Sequence, residues 1–165
     1  MTESSNSLPE ARLARMGLTL GAAPQAVGQY APWLRVGNVI HTSGQFPWRD
    51  GVYGHLAYTG RIGGAGGLSV EQGYACAQLA ALSALAQLKH AVGDLTRIRQ
   101  IVRIDGHLQT GEGFHDHATV LDGASDLFNE VLGASGRHTR SALGLYQTAL
   151  DSPVLIYVCL LYTSP

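Results

Sequence analysis

Apolar residues recur along this chain with two different periods, and the changes of period mark out its elements. From Val70 to about Val92 the spacing is helical, with Tyr74, Ala77, Ala81, Leu85 and Leu88 on one stripe. Ser69-Val70-Glu71-Gln72 is a capping box at its start, and Gly93-Asp94 stops it. A second helix opens at His115-Asp116-His117, buries Val120, Leu121, Ala124, Leu127, Phe128 and Val131, and ends at Gly133. Three stretches read as β-strands instead: Ile98 to about Leu108, Thr139–Leu145 and Val154–Leu161. Asp151-Ser152-Pro153 joins the last two.

The first third has shorter periods and more breakers. Ser7-Leu8-Pro9-Glu10 reads as a capping box, starting a helix to about Met16 with Leu8, Leu13 and Met16 inward; Gly17 ends it. Residues 1–7 are expected to be disordered. Pro and Gly keep residues 18–35 extended. Gly37-Asn38 turns Leu34-Arg35-Val36 back against a strand from Val39 to Phe46. Asp50-Gly51 is a further turn, leading to Val52-Tyr53 and Thr59–Ile62, which completes a small antiparallel meander.

A meander followed by α, β, α, β, β predicts an α+β, two-layer domain with two long helices on one face of a mixed sheet. The 165 residues form one domain, with residues 8–17 as an N-terminal helix. Charged residues make up only 14% of the chain, against about 25% in a typical soluble domain. The bare sheet face is therefore expected to be covered by further copies of the chain.

A net charge of −1 shows no electrostatic footprint for nucleic acid. No apolar run reaches the ~20 residues of a membrane span. Cys76 and Cys159 are too few for a disulfide framework, and the polar N-terminus lacks a signal-peptide pattern, so a cytoplasmic setting is the expectation. No metal set is read: His115 and His117 stand two apart on a helix and point away from each other. Gly63-Gly64-Ala65-Gly66-Gly67 reads as a connector, since no Lys-Ser/Thr pair follows it.

The chemistry concentrates in Gly136–Leu145. On a strand, Arg140 shares a face with Ala142 and Gly144, which leaves space in front of a guanidinium that could grip a carboxylate. The plainer reading is an ion pair at the surface or between subunits.

Longer motifs add to this. Ala23-Pro24, Gly28-x-Tyr30 and the run Val36-Gly37-Asn38-Val39-Ile40-His41-Thr42-Ser43-Gly44-Gln45-Phe46-Pro47, paired with Arg140-Ser141-Ala142-Leu143-Gly144-Leu145, resemble the Rid proteins, the YjgF/YER057c/UK114 family, in a longer branch. The resemblance implies a chorismate-mutase-like fold assembled as a homotrimer, with a ligand cleft between subunits and no cofactor. It implies hydrolysis of reactive amino-acid-derived imines and enamines, of the 2-iminobutanoate/2-iminopropanoate deaminase type. By that resemblance Arg140 holds a small carboxylate-bearing metabolite, while Tyr30 and Ser43 line the cleft.

The chain departs from the family at several positions. Leu155 and Tyr157 stand where the family has glutamates on its last strand, and Ala142 replaces a common cysteine. Residues 159–165 read as an atypical C-terminal tail. Two readings follow: an imine deaminase, or a non-catalytic trimer that binds small carboxylates. A ribonuclease is disfavoured by the near-neutral charge.

Overall fold

A computed structural model describes residues 8–163. Its elements are α1 (Leu8–Arg15), β1 (Trp33–Val36), β2 (Val39–Thr42), α2 (Val70–Val92), β3 (Ile98–Gln109), α3 (His117–Leu132), β4 (Thr139–Leu145) and β5 (Val154–Tyr162). The five strands form one mixed sheet in the order β1-β2-β5-β3-β4. Only β3 and β4 run parallel, which requires a crossover between them; α3 supplies it.

α2 starts where the capping box sets it. The Ser69 hydroxyl accepts from the Gln72 N–H at 3.1 Å, and the Gln72 side chain accepts from the Ser69 N–H at 2.9 Å. Gly93, at φ 86°, ends the helix with its N–H on the Lys89 carbonyl. The alanines on this helix are fully buried, from Ala77 through Ala84, and let its backbone sit close to its neighbours. Ile104, Leu108, Ile156, Val158 and Leu160 rise from the sheet to meet α2 and α3, and this layer is the main core. Among the described residues no helix is long and apolar enough to cross a membrane.

Strand pairing decides which residues face the helices. Ile104 lies opposite Val158, and Leu108 opposite Val154, all four buried. The alternate pairs, Asp105 with Tyr157 and His107 with Leu155, therefore lie on the face away from the helices. That face also carries Leu34, Val36 and Leu143, which are 63%, 70% and 52% exposed.

The opening third is less regular than expected. β2 stops at Thr42, and the chain continues only as an isolated bridge between Gln45 and Ile156. Val52-Tyr53 and Thr59–Ile62 are not strands; Trp48–Leu56 and Ile62–Leu68 bridges replace the ladder. Gly51, Gly54 and Gly60 all take positive φ, which breaks an extended run. α1 buries Pro9 and Leu13, whereas Leu8 is 54% exposed. Ser7, the expected cap of α1, and residues 1–7 as a whole lie outside the described residues. α3 begins at His117, after a turn that donates the Phe114 N–H to the Gly111 carbonyl.

Candidate functional site

Where β2 ends, the chain bends over the last strand and leaves a hollow of about 630 Å³. Tyr30, Ser43, Gly44, Phe46, Leu155 and Tyr157 form most of its wall, with Val27, Thr42 and Ala149 at its margins. Pairing of Gln45 with Ile156 through two backbone bonds of 2.8 and 3.1 Å fixes the bend against β5. The Ser43 hydroxyl donates to the Ala31 carbonyl at 2.6 Å, so its oxygen keeps lone pairs but no spare proton. Tyr30 accepts at its hydroxyl from the Val27 N–H, 3.1 Å away. A side chain at Gly44 would put its Cβ 3.1 Å from Leu155 Cδ2 and 3.2 Å from Tyr157 Oη. Glycine at that position keeps the floor of the hollow open.

Two of the three expected site residues, Tyr30 and Ser43, thus share one wall with Leu155 and Tyr157. Arg140 does not join them. It pairs in register with fully buried Ile104, so its side chain rises on the helix face of the sheet. Within one chain, β5 and β3 also separate β4 from β2, roughly 14 Å of sheet at ~4.8 Å per strand. The guanidinium donates to Asp122 Oδ1 at 2.8 Å, to Ser125 Oγ at 2.9 Å and to the Ala118 carbonyl at 3.2 Å, all from α3. The expectation of open space in front of it is corrected. Ala142 and Gly144 are small because α3 approaches closely there: a Cβ on Gly144 would collide with the His117 ring. An ion pair is observed, as the plainer reading had it, but it is made within the chain, to α3, and is only partly exposed.

The Arg140 bridge belongs to a larger brace. Ser125 Oγ also lies 2.8 Å from His138 Nε2, and His138 Nδ1 meets the Gly136 carbonyl at 2.6 Å. This chain of bonds ties the strand entering β4 to the middle of α3.

Nothing in the sequence pointed to the far rim of the hollow. Ala149–Asp151 is a tight turn in which Leu150 and Asp151 take φ of 60° and 55°, a region that disfavours non-glycine residues. Fully buried Gln109 holds it, accepting from the Thr148 N–H at 2.7 Å and donating to Asp151 Oδ1 at 2.7 Å. A glutamine at the end of an apolar strand was the only available signal.

Beside the hollow, on the open face, Asp105 accepts from Ser141 Oγ at 2.6 Å and from Arg103 Nε at 2.8 Å. Partial burial works against its charge, but these two donors outweigh it and hold the carboxyl below the usual range. A folded-state value below the unfolded one stabilises above the unfolded pKa, and the stabilisation is lost as pH falls through the folded value. Ser141→Ala is therefore expected to raise the Asp105 pKa, read by NMR titration of its carboxyl carbon. An unchanged midpoint would remove Ser141 from this account.

Comparison with known proteins agrees with this architecture. The family model described as "YjgF/chorismate mutase-like, putative endoribonuclease" matches residues 10–162. A crystal structure of a Shewanella oneidensis MR-1 protein carrying the same endoribonuclease description is similar over 94% of this chain and 99% of its own, at 41% identity and a TM-score of 0.87. Atu1372 of Agrobacterium tumefaciens, described as of unknown function, is 32% identical over 94% of this chain and 93% of its own, with a TM-score of 0.86. Protein TCP17 of Trypanosoma cruzi is 35% identical over 145 residues, covering 87% of this chain and 88% of its own.

Proposed function

This chain belongs to the YjgF/chorismate mutase-like family, and from that premise we propose that it binds a small organic metabolite in the Ser43 hollow without hydrolysing it. The observation that carries the reading is the hollow's lining: none of its residues is a carboxylate, a histidine or a cation. Hydrolysis of an imine needs a group that takes a proton from attacking water or gives one to the leaving nitrogen. Leu155 occupies the position where the resemblance would place that group. What the wall offers is apolar surface from Leu155 and Phe46, with hydroxyls from Ser43, Tyr30 and Tyr157. Such a wall suits a compact ligand of low charge, oriented by one or two hydrogen bonds.

A carboxylate ligand would need a cation from elsewhere, and a second copy of the chain is the available source. Exposed Leu34, Val36 and Leu143 on the same sheet face favour such an assembly, a homotrimer by family resemblance. Imine hydrolysis in a cleft between copies is the second reading. The endoribonuclease part of the family description gains no support from a wall with no cation to meet phosphate.

Calorimetry with pyruvate and with its uncharged amide, beside a coupled assay for 2-aminoacrylate loss, separates these readings. Binding without acceleration over buffer supports the first. Turnover that disappears in Ser43→Ala would establish the second. Gly44→Ala narrows the hollow from its floor and is expected to weaken binding of either probe about tenfold, with the melting temperature little changed. Unaltered affinity in that variant would place the ligand elsewhere.

A further inference from the structure

A second cavity, of about 320 Å³, lies between α2 and the extended segment that follows α1, with Trp48 on its wall. Its volume is in the range of small-molecule sites. Leu18, Pro24, Trp48, Leu79 and Leu82 give it apolar walls. Beside the exposed Thr19, two polar residues line it, Ser83 and Asp50, and neither side chain has a partner among the described residues. Ser83, in the middle of α2, is only 6% exposed, yet its hydroxyl makes no hydrogen bond to another described residue. The fully buried unpartnered side-chain atoms among the described residues are Gln87 Oε1 and Tyr162 Oη and do not include the Ser83 oxygen, so this hydroxyl is reachable from the cavity.

The other polar group is Asp50, at the mouth. It sits at φ 51° in the tight turn Arg49–Gly51, a strained position for a non-glycine residue. No salt bridge or hydrogen bond to its carboxylate is formed within the described residues. The neighbouring Arg49 guanidinium instead turns to the Ala57 carbonyl at 3.2 Å. The cavity thus has an apolar body, a buried hydroxyl along its wall and an unneutralised carboxylate at its entrance.

We infer that this cavity is a binding site for a small amphipathic amine, its apolar body against Leu79 and Leu82, its ammonium on Asp50 and a hydrogen bond to Ser83. The ion pair carries the selectivity, since a charge-assisted hydrogen bond is about twice as strong as a neutral one. The site has its own polar residues, but its Trp48 packs on Phe46 of the Ser43 hollow at 5.1 Å between ring centroids, so the Asp50 and Ser83 variants, and not the Trp48 signal, tell the two sites apart.

The test uses the full chain with 2-phenylethylamine and its uncharged isostere 2-phenylethanol, followed by amide NMR shifts and calorimetry. The amine is expected to bind about tenfold more tightly than the alcohol, with shifts at Leu79, Leu82, Ser83 and the Trp48 indole N–H. Asp50→Asn keeps the left-handed turn, because asparagine tolerates it, and is expected to erase the preference for the amine. Ser83→Ala is expected to weaken both probes by a similar factor of a few. Equal affinity for the two probes, a preference that survives Asp50→Asn, shifts confined to the Ser43 hollow, or no binding at millimolar concentration would each overturn the assignment.

Discussion

Replacing Gly123 by alanine is expected to destabilise this protein by about 2–3 kcal/mol, and the reason is backbone rather than side chain. Gly123 lies on the buried side of α3 where it crosses α2. A Cβ there would fall far inside contact distance of the Tyr74 carbonyl oxygen and 3.1 Å from the Ala77 Cβ. Most over-packed sites relax by moving a side chain, at a cost of about 1–3 kcal/mol. A helix carbonyl cannot move alone, so α2 and α3 must separate along their whole contact. The better helix propensity of alanine recovers at most ~1 kcal/mol. For a chain of this size the net loss corresponds to a fall of roughly 4–12 °C in melting temperature. Gly21→Ala is the control: its Cβ would have only one neighbour, 3.9 Å away, and φ there is not in the left-handed region. That variant is expected to melt within about 1–2 °C of the parent. Equal stability of Gly123→Ala and Gly21→Ala would mean that the helices do not approach as closely as described.

Elements whose signal is local were legible in the sequence. α2 has a capping box, a long apolar stripe and a terminal glycine, and it runs over the expected residues, Val70–Val92. β4 was recognisable from alternation after a β-branched residue, and β5 as a short, unbroken apolar run. The segment from Val52 to Ile62 was not, because its apolar residues look strand-like while the glycines between them take positive φ that no single-residue pattern reveals. The site divides in the same way. Tyr30, Ser43, Leu155 and Tyr157 were all singled out, and the bend at Gly44 brings them to one hollow. The Gln109 clamp on the Ala149 turn depends on contacts across 39–42 residues of chain and has no local signature.

Arg140 is the instructive case. Alternation correctly grouped it with Ala142 and Gly144, but alternation cannot tell which layer a face meets. Small residues beside a cation suit a bound ligand and a close-packed helix equally well. The pairing of β4 with β3 decides, and it directs Arg140 toward α3.

The same geometry yields the sharpest functional prediction. Arg140→Met is expected to lower stability and to leave ligand affinity in the Ser43 hollow unchanged within about twofold. The guanidinium side chain is 25% exposed, its Asp122 partner 50% exposed, and Ser125 buried. Because Asp122 can rehydrate when the pair is broken, the ionic part contributes less than a fully buried bridge would. Loss of the bonds to Ser125 and the Ala118 carbonyl adds to it, and about 1–2 kcal/mol in total is expected. A double-mutant cycle with Asp122→Ala should show a coupling of about 0.5–1.5 kcal/mol, since the two groups touch. A carboxylate anchor would behave in the opposite way. Its removal would cost a bidentate charged contact of ~1.5–3 kcal/mol in binding, roughly a ten- to hundredfold loss of affinity for pyruvate, with little effect on melting. The two roles thus predict opposite movements of two independent measurements. Lost affinity with intact stability would show that Arg140 leaves Asp122 to meet the ligand, and the reading of this residue as a brace between strand and helix would have to be abandoned.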